Sequence, residues 1–247
     1  MKIYVITVCR NAKAALSHTI GSINSLRDAD MHFSVIDGNS NDGTREMLAS
    51  AGSLVDYWVS EPDDGIYDAM NKGLAVATGD YVLFMNSGDE LYNSDTVASV
   101  FASADGADIY YGETEMINAE GQHLGRRRHK APKELSLGSF KYGMSVSHQA
   151  IYIKRSLTQP YDRQYQLSSD IDWILNAVEK AGKIVNVNQY VAKYLVGGMS
   201  KKRHRQSLKE RFAIMKHHYG VVPTLFNHLV IAFNLGWYWL LNRKTND

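Results

Sequence analysis

"GIYDAMNKGLAVATGDYVLFMNSGDEL", Gly65–Leu91, decides the fold. Its first half has the apolar spacing of a helix. Its second half, DYVLFMN, reads as a strongly buried strand that runs out into a small acidic turn, Asn86–Glu90. The same alternation precedes it. KIYVITV, HFSVID and VDYWVS are short β-rich runs, while AALSHTIGSINSL and NSNDGTREMLASA have helical spacing, the latter with Asn41 or Asp42 as N-cap. Strands alternating with helices predict a single Rossmann-like, mostly parallel α/β sheet flanked by helices, with sites at the carboxyl ends of the strands.

Beyond residue 105 the pattern loosens. ADIYYGETEMI and HLGRRRH predict a hairpin around Asn118–Gln122, and SHQAIYIKR predicts a strand. SSDIDWILNAVEKAG predicts a helix with Ile171, Ile174, Leu175 and Val178 on its apolar face, followed by two strands, KIVNVN and YVAKYLV. A basic helix (about 201–219) and an apolar one (about 223–242) end the chain. The expected organisation is one α/β domain over 1–200, in two halves at 1–105 and 106–200. A helical appendage follows at 201–247.

Composition narrows the function. The 247 residues are 45% hydrophobic and 21% charged, an ordinary globular balance. A net charge of +1 gives no electrostatic case for nucleic acid. Two basic clusters, Arg126–Lys130 and Lys201–Arg211, point instead to an anionic partner such as a pyrophosphate or an acidic membrane surface. The one cysteine, Cys9, suits a reducing compartment and a core position. Before Arg10 the apolar run is too short for a secretory signal, so a cytosolic location is expected.

Four polar stretches end four strands: Thr7–Asn11, Asp37–Thr44, Ser60–Gly73 and Asn86–Glu90. In a parallel sheet these ends share one edge and can line one cleft. Asp37 can accept hydrogen bonds from a base or ribose, or cap a turn. Asp89 is the candidate metal ligand, because Mg²⁺ commonly takes one or two carboxylates plus substrate phosphates. Asp170 and Asp172 open a helix, where a carboxylate is held charged. Their spacing does not put both on one face. No dinucleotide fingerprint or Walker loop is present.

As an ordered set, ITVCRN, VIDGNSNDGT and AMNKGLAVATGDYVLFMNSGD resemble the inverting glycosyltransferase family 2 over about residues 2–91. SEPDDGIYDAMNKG, NSGD, SHQAI, SSD and GGMS extend the similarity to about residue 200, toward colanic-acid-type exopolysaccharide glycosyltransferases. The resemblance implies a GT-A (nucleotide-diphospho-sugar transferase) fold and a nucleotide-sugar donor, UDP- or GDP-linked. It implies Mn²⁺ or Mg²⁺ on Asp89, and a lipid-pyrophosphate-linked saccharide as acceptor. Thr7, Asn11, Asp37, Asp68, Asn71, Lys72 and Ser87 would hold the donor. His148, Gln149, Ser200, Lys202 and Arg203 would lie near the acceptor or close over the diphosphate. Asp170 matches the family's general base, with Ser169 in place of the usual preceding Glu, so Asp172 stays open as an alternative. Asn86, Gly88 and Ser169 also fit a non-catalytic sugar-binding module. A nucleotidyltransferase is disfavoured by the absence of glycine in TVCRNAKAAL. Val221–Leu241 carries no formal charge and predicts peripheral docking on the inner membrane face, ahead of a packed helix or a span. Oligomeric state is left open.

Overall fold

The computed structural model describes residues 1–26, 30–127, 129–197 and 203–242, without the side chains of residues 204 and 234–242. The helices are α1 (Lys13–Ser25), α2 (Thr44–Ser50), α3 (Ile66–Val76), α4 (Thr96–Ala102), α5 (Ser169–Lys180), α6 (His204–Tyr219) and α7 (Val221–Asn242). The strands are β1 (Ile3–Cys9), β2 (Met31–Asp37), β3 (Tyr57–Ser60), β4 (Tyr81–Phe84), β5 (Glu90–Leu91), β6 (Ile109–Ile117), β7 (His123–Arg126), β8 (Ile151–Lys154) and β9 (Ile184–Leu195). One sheet runs β3-β2-β1-β4-β8-β6-β9-β5, with β7 on β6.

The N-terminal part is all parallel: β1 pairs with β2 and β4, and β2 with β3. Strands β1 and β4 are buried along their whole length, as strands covered by helices on both faces must be. The second part is mixed. Strand β8 runs antiparallel to β4 and β6, while β6 and β9 are parallel. The sheet is therefore continuous across residue 105. Its two faces carry two cores, one packed on α3 and α5, the other on α1, α2 and α4.

Three departures from the sequence reading have local causes. KIVNVN and YVAKYLV form one strand, β9, bent at Asn188, whose φ of 54° is left-handed. His148 and Gln149 sit in a 3₁₀ turn ahead of β8 rather than in the strand. Helix α6, set apart by its basic composition, is built into the body. Ile214 and Met215 join the core, and Glu210 accepts the Leu167 N–H at 2.8 Å. Strand β5 and helix α4 were not anticipated; both are too short to show a period.

Candidate active site

The strand-end turn Asn86–Asp89 is fixed from several sides. The Asp89 N–H donates to the Asn86 carbonyl at 2.9 Å. Thr19 of α1 receives the Gly88 N–H at 2.8 Å and donates to the Asp89 carbonyl at 2.8 Å. Ser87 Oγ donates to the Val8 carbonyl at 3.1 Å. Gly88 has φ +94°, and a Cβ there would come within 2.3 Å of Leu195 Cδ2. Both the φ and the approach of the Leu195 side chain favour glycine at this position.

Asp89 is 2% exposed, and burial pushes its carboxyl up to about 8, against the opposing pull of the Leu195 and Asn86 backbone. Oδ1 accepts from the Leu195 N–H at 2.9 Å. Among the described residues Oδ2 has no partner, and neither does Asn86 Oδ1, although both are buried. Two orphaned hard oxygens at one turn, one from a carboxyl that desolvation disfavours as an anion, fit a divalent cation. Among the described residues no group of three His, Cys, Asp or Glu gathers that could hold one unaided.

This turn lines a cleft of about 500 Å³. The first strand end supplies Val8, Cys9 and Arg10, α3 supplies Ile66, Tyr67 and Met70, and the 3₁₀ turn supplies His148 and Gln149. Asp170 enters from α5 and Arg211 from α6. Tyr67 donates its hydroxyl to Asp170 Oδ1 at 3.1 Å. Burial raises the Tyr67 hydroxyl, and the Asp170 charge adds to that, so Tyr67 stays a proton donor. His148 stacks on Phe84, with ring centroids 5.1 Å apart, and its Nε2 lies 2.6 Å from the Tyr161 hydroxyl. Burial depresses its pKa to about 4, so the imidazole is neutral near pH 7.

Asp172 is elsewhere. It does not line the cleft; its Oδ1 meets His218 Nε2 at 2.9 Å and its Oδ2 accepts from Asn176 at 3.0 Å. It bolts α5 to α6. Thr7 is fully buried, donating to the Met85 carbonyl at 2.6 Å. Asp37 is fully buried beside the cleft, its oxygens taken by Ser40 N–H and Oγ, Ser60 Oγ and Cys9 Sγ. Asn11 (φ 49°) braces that same loop, receiving the Asn41 N–H at 2.9 Å.

On α3, Asn71 clamps Tyr161 by both backbone groups, at 3.0 and 2.6 Å. Asp68 pairs with Arg163 at 3.1 Å. Lys72 bonds Glu61 at 2.8 Å, which raises its pKa. Arg203, exposed, reaches Gln166 on the cleft rim at 3.4 Å. Ser200 and Lys202 lie outside the described residues. Sequence reasoning missed Tyr67, Arg127 and Arg211. The RRRHK cluster and the basic helix were the available signals for the two arginines.

A parallel half of the sheet joins a mixed half, and one acidic turn and one helix-borne carboxylate line the same cleft. The sequence profile of Glycosyl transferase family 2 matches residues 4–163, and this chain belongs to that family. It is 33% identical over 180 residues to an uncharacterized glycosyltransferase of Mycobacterium tuberculosis, covering 70% of this chain and 67% of the relative. An amylovoran biosynthesis glycosyltransferase of Erwinia amylovora is 23% identical over 209 residues, covering 77% of this chain and 68% of the relative.

The GT-A fold is shared with solved structures. S. aureus TarS in complex with UDP-GlcNAc superimposes with a TM-score of 0.66 at 15% identity, over 99% of this chain and 74% of that one. Glucosyl-3-phosphoglycerate synthase from Mycobacterium tuberculosis, in complex with Mn²⁺ and UDP, gives 0.60 at 20% identity, over 89% and 80%.

Proposed function

We propose that this glycosyltransferase is metal-dependent and inverting. In this reading it moves a sugar from a UDP- or GDP-sugar to a hydroxyl of a lipid-pyrophosphate-linked exopolysaccharide unit. The observation that carries the reading is the placement of Asp170 in the same cleft as the orphaned oxygens of Asp89 and Asn86. Those two oxygens would hold Mn²⁺ or Mg²⁺, which when bound neutralises charge on the departing diphosphate.

The acceptor hydroxyl oxygen bonds to the anomeric carbon as the bond to the diphosphate oxygen breaks, inverting that carbon. The acceptor proton passes to Asp170. Tyr67 holds Oδ1 and so leaves Oδ2 to take it. The neutral His148 and buried Gln149 shape the wall without adding charge. Asp37, with Ser40 and Ser60, forms a rigid polar floor beside the cleft that suits a ribose or base. The amylovoran relative supports an exopolysaccharide acceptor, and the Mn²⁺ and UDP complex supports the cofactor and donor class.

A lipid-linked acceptor calls for an enzyme at the cytosolic membrane face, and α7 supports one. The helix is inverted for a water-facing element. Thr224 and Asn227 are buried, while Val222, Leu225, Phe226, Leu229 and Phe233 are 50–76% exposed on the opposite face. Among the described residues no helix is long and apolar enough to cross a membrane. Residues 201–247 hold nine Lys or Arg against two Asp or Glu. That charge attracts anionic lipid and would repel a second copy of the same surface.

The test is transfer from UDP- and GDP-sugars to a prenyl-pyrophosphate saccharide, with Mn²⁺ and with EDTA, alongside flotation with anionic liposomes. Transfer that survives EDTA refutes the metal. Flotation unchanged in Leu225→Ser/Phe226→Ser/Leu229→Ser refutes docking through α7.

A further inference from the structure

The cleft holds more positive charge than an Asp89-bound cation and a base require. Arg127 follows β7 and Arg211 projects from α6, and both line the wall formed by the second half of the chain. Among the described residues neither guanidinium has a carboxylate within ion-pairing distance. Arg127 spends one N–H on the Met144 carbonyl at 3.3 Å. Arg211 Nε is buried with no acceptor among the described residues, and so is the amide nitrogen Nε2 of Gln149 on the same cleft.

Burial lowers the Arg127 pKa. Tyr194, Asp170 and Glu113 pull it back up, and the nearby Arg211 charge pushes it down again. Two guanidiniums that repel each other in a desolvated wall are costly to keep. The unsatisfied groups that Arg211 and Gln149 present there, Nε and Nε2, are donors, so their complement is an oxygen-rich anion.

We propose that Arg127, Arg211 and Gln149 form a phosphate subsite of the cleft, distinct from the metal-facing oxygens of Asp89 and Asn86. The inference rests on the glycosyltransfer reading for its choice of ligand. Two forked guanidiniums match a phosphate or pyrophosphate better than a single carboxylate. The phosphate has two sources in that reaction, the donor's diphosphate and the pyrophosphate of a lipid-linked acceptor.

The test reads binding, not transfer, so its failure is separable from failure of the proposed activity. The full chain is titrated calorimetrically with inorganic pyrophosphate in EDTA, as wild type, Arg127→Gln and Arg211→Met. The expected result is binding by wild type that is weakened at least tenfold in each variant. Failure of wild type to bind, or equal binding by all three, overturns the proposal.

Titrations with UDP plus Mn²⁺ and with a short-chain prenyl pyrophosphate then separate the sources. Weakening of UDP alone assigns the site to the donor, and weakening of the prenyl ligand alone assigns it to the acceptor. If neither weakens, the proposal fails. The melting temperature controls for structure. Removing an unpaired cation leaves it equal or higher in Arg211→Met, whereas a clear drop accompanying lost binding makes the arginine a structural residue and overturns the assignment.

Discussion

Gly88→Ala is the sharpest test of how the Asn86–Asp89 turn is built. The residue has φ +94°, where an L side chain is strained, and its new Cβ would lie 2.3 Å from Leu195 Cδ2. The backbone cost is about 1–2 kcal/mol. Overpacking against Leu195 adds about 1–3 kcal/mol. The sum, about 2–5 kcal/mol, is a large share of the stability of an ordinary domain. At about 2–4 °C per kcal/mol for a chain of this size, the drop in melting temperature is easily read. Relaxation would move Asp89, whose Oδ1 is tied to the Leu195 N–H. Mn²⁺-dependent UDP binding should therefore weaken along with stability. Urea denaturation and calorimetry read the two effects. Leu195→Ala in the same chain should recover the overpacking part but not the φ part, giving a coupling of about 1–3 kcal/mol in the double-mutant cycle. Wild-type stability and binding in Gly88→Ala, or strict additivity with Leu195→Ala, would refute this account of the turn.

Other positions separate structural from chemical roles. His148, neutral with its pKa depressed to about 4, leaves the unfolded chain binding more protons between pH 4 and 6.5. Its contribution is complete above about pH 6.5 and is lost as pH falls toward 4, by about 3 kcal/mol. Urea titrations across that window should show a shallower slope in His148→Phe, and equal slopes contradict the burial argument. Asn71→Ala frees both backbone groups of buried Tyr161; it should cost about 2–4 kcal/mol with donor affinity unchanged once folded. A selective loss of donor affinity would restore Asn71 to the donor site. Asp172→Asn, which weakens the contact to His218, should lower the melting temperature and leave kcat within about twofold; a large kcat loss without destabilisation would make Asp172 the base.

The first half of the fold was readable because each element carries its own period. Strands β1 to β4 are short apolar runs, and the turns between them are polar. The second half hid its order for local reasons. Asn188 bends β9 where its register with β6 shifts, so one strand reads as two. Asp170 and Asp172 look equivalent in SSDID, and only the helix's orientation sends one to the cleft and the other to His218. Asp89 stands out in the sequence because a short acidic turn follows a buried strand. For its neighbours, the φ and the Leu195 approach account for glycine at 88, and Asn86 places a buried amide oxygen that has no partner among the described residues. Arg127, Arg211 and Tyr67 were not legible as a set, since they come from a strand end, a C-terminal helix and α3. The inverted face of α7 was partly visible in its uncharged run, but which side faces outward is a packing outcome.

The most direct test of the central claim is kcat in Asp170→Asn at saturating acceptor, read beside the dissociation constant for UDP with Mn²⁺. The account predicts a loss of about 10²–10⁴-fold in kcat with UDP affinity unchanged, because the base acts on the acceptor proton. Undiminished transfer with the asparagine in place would contradict it.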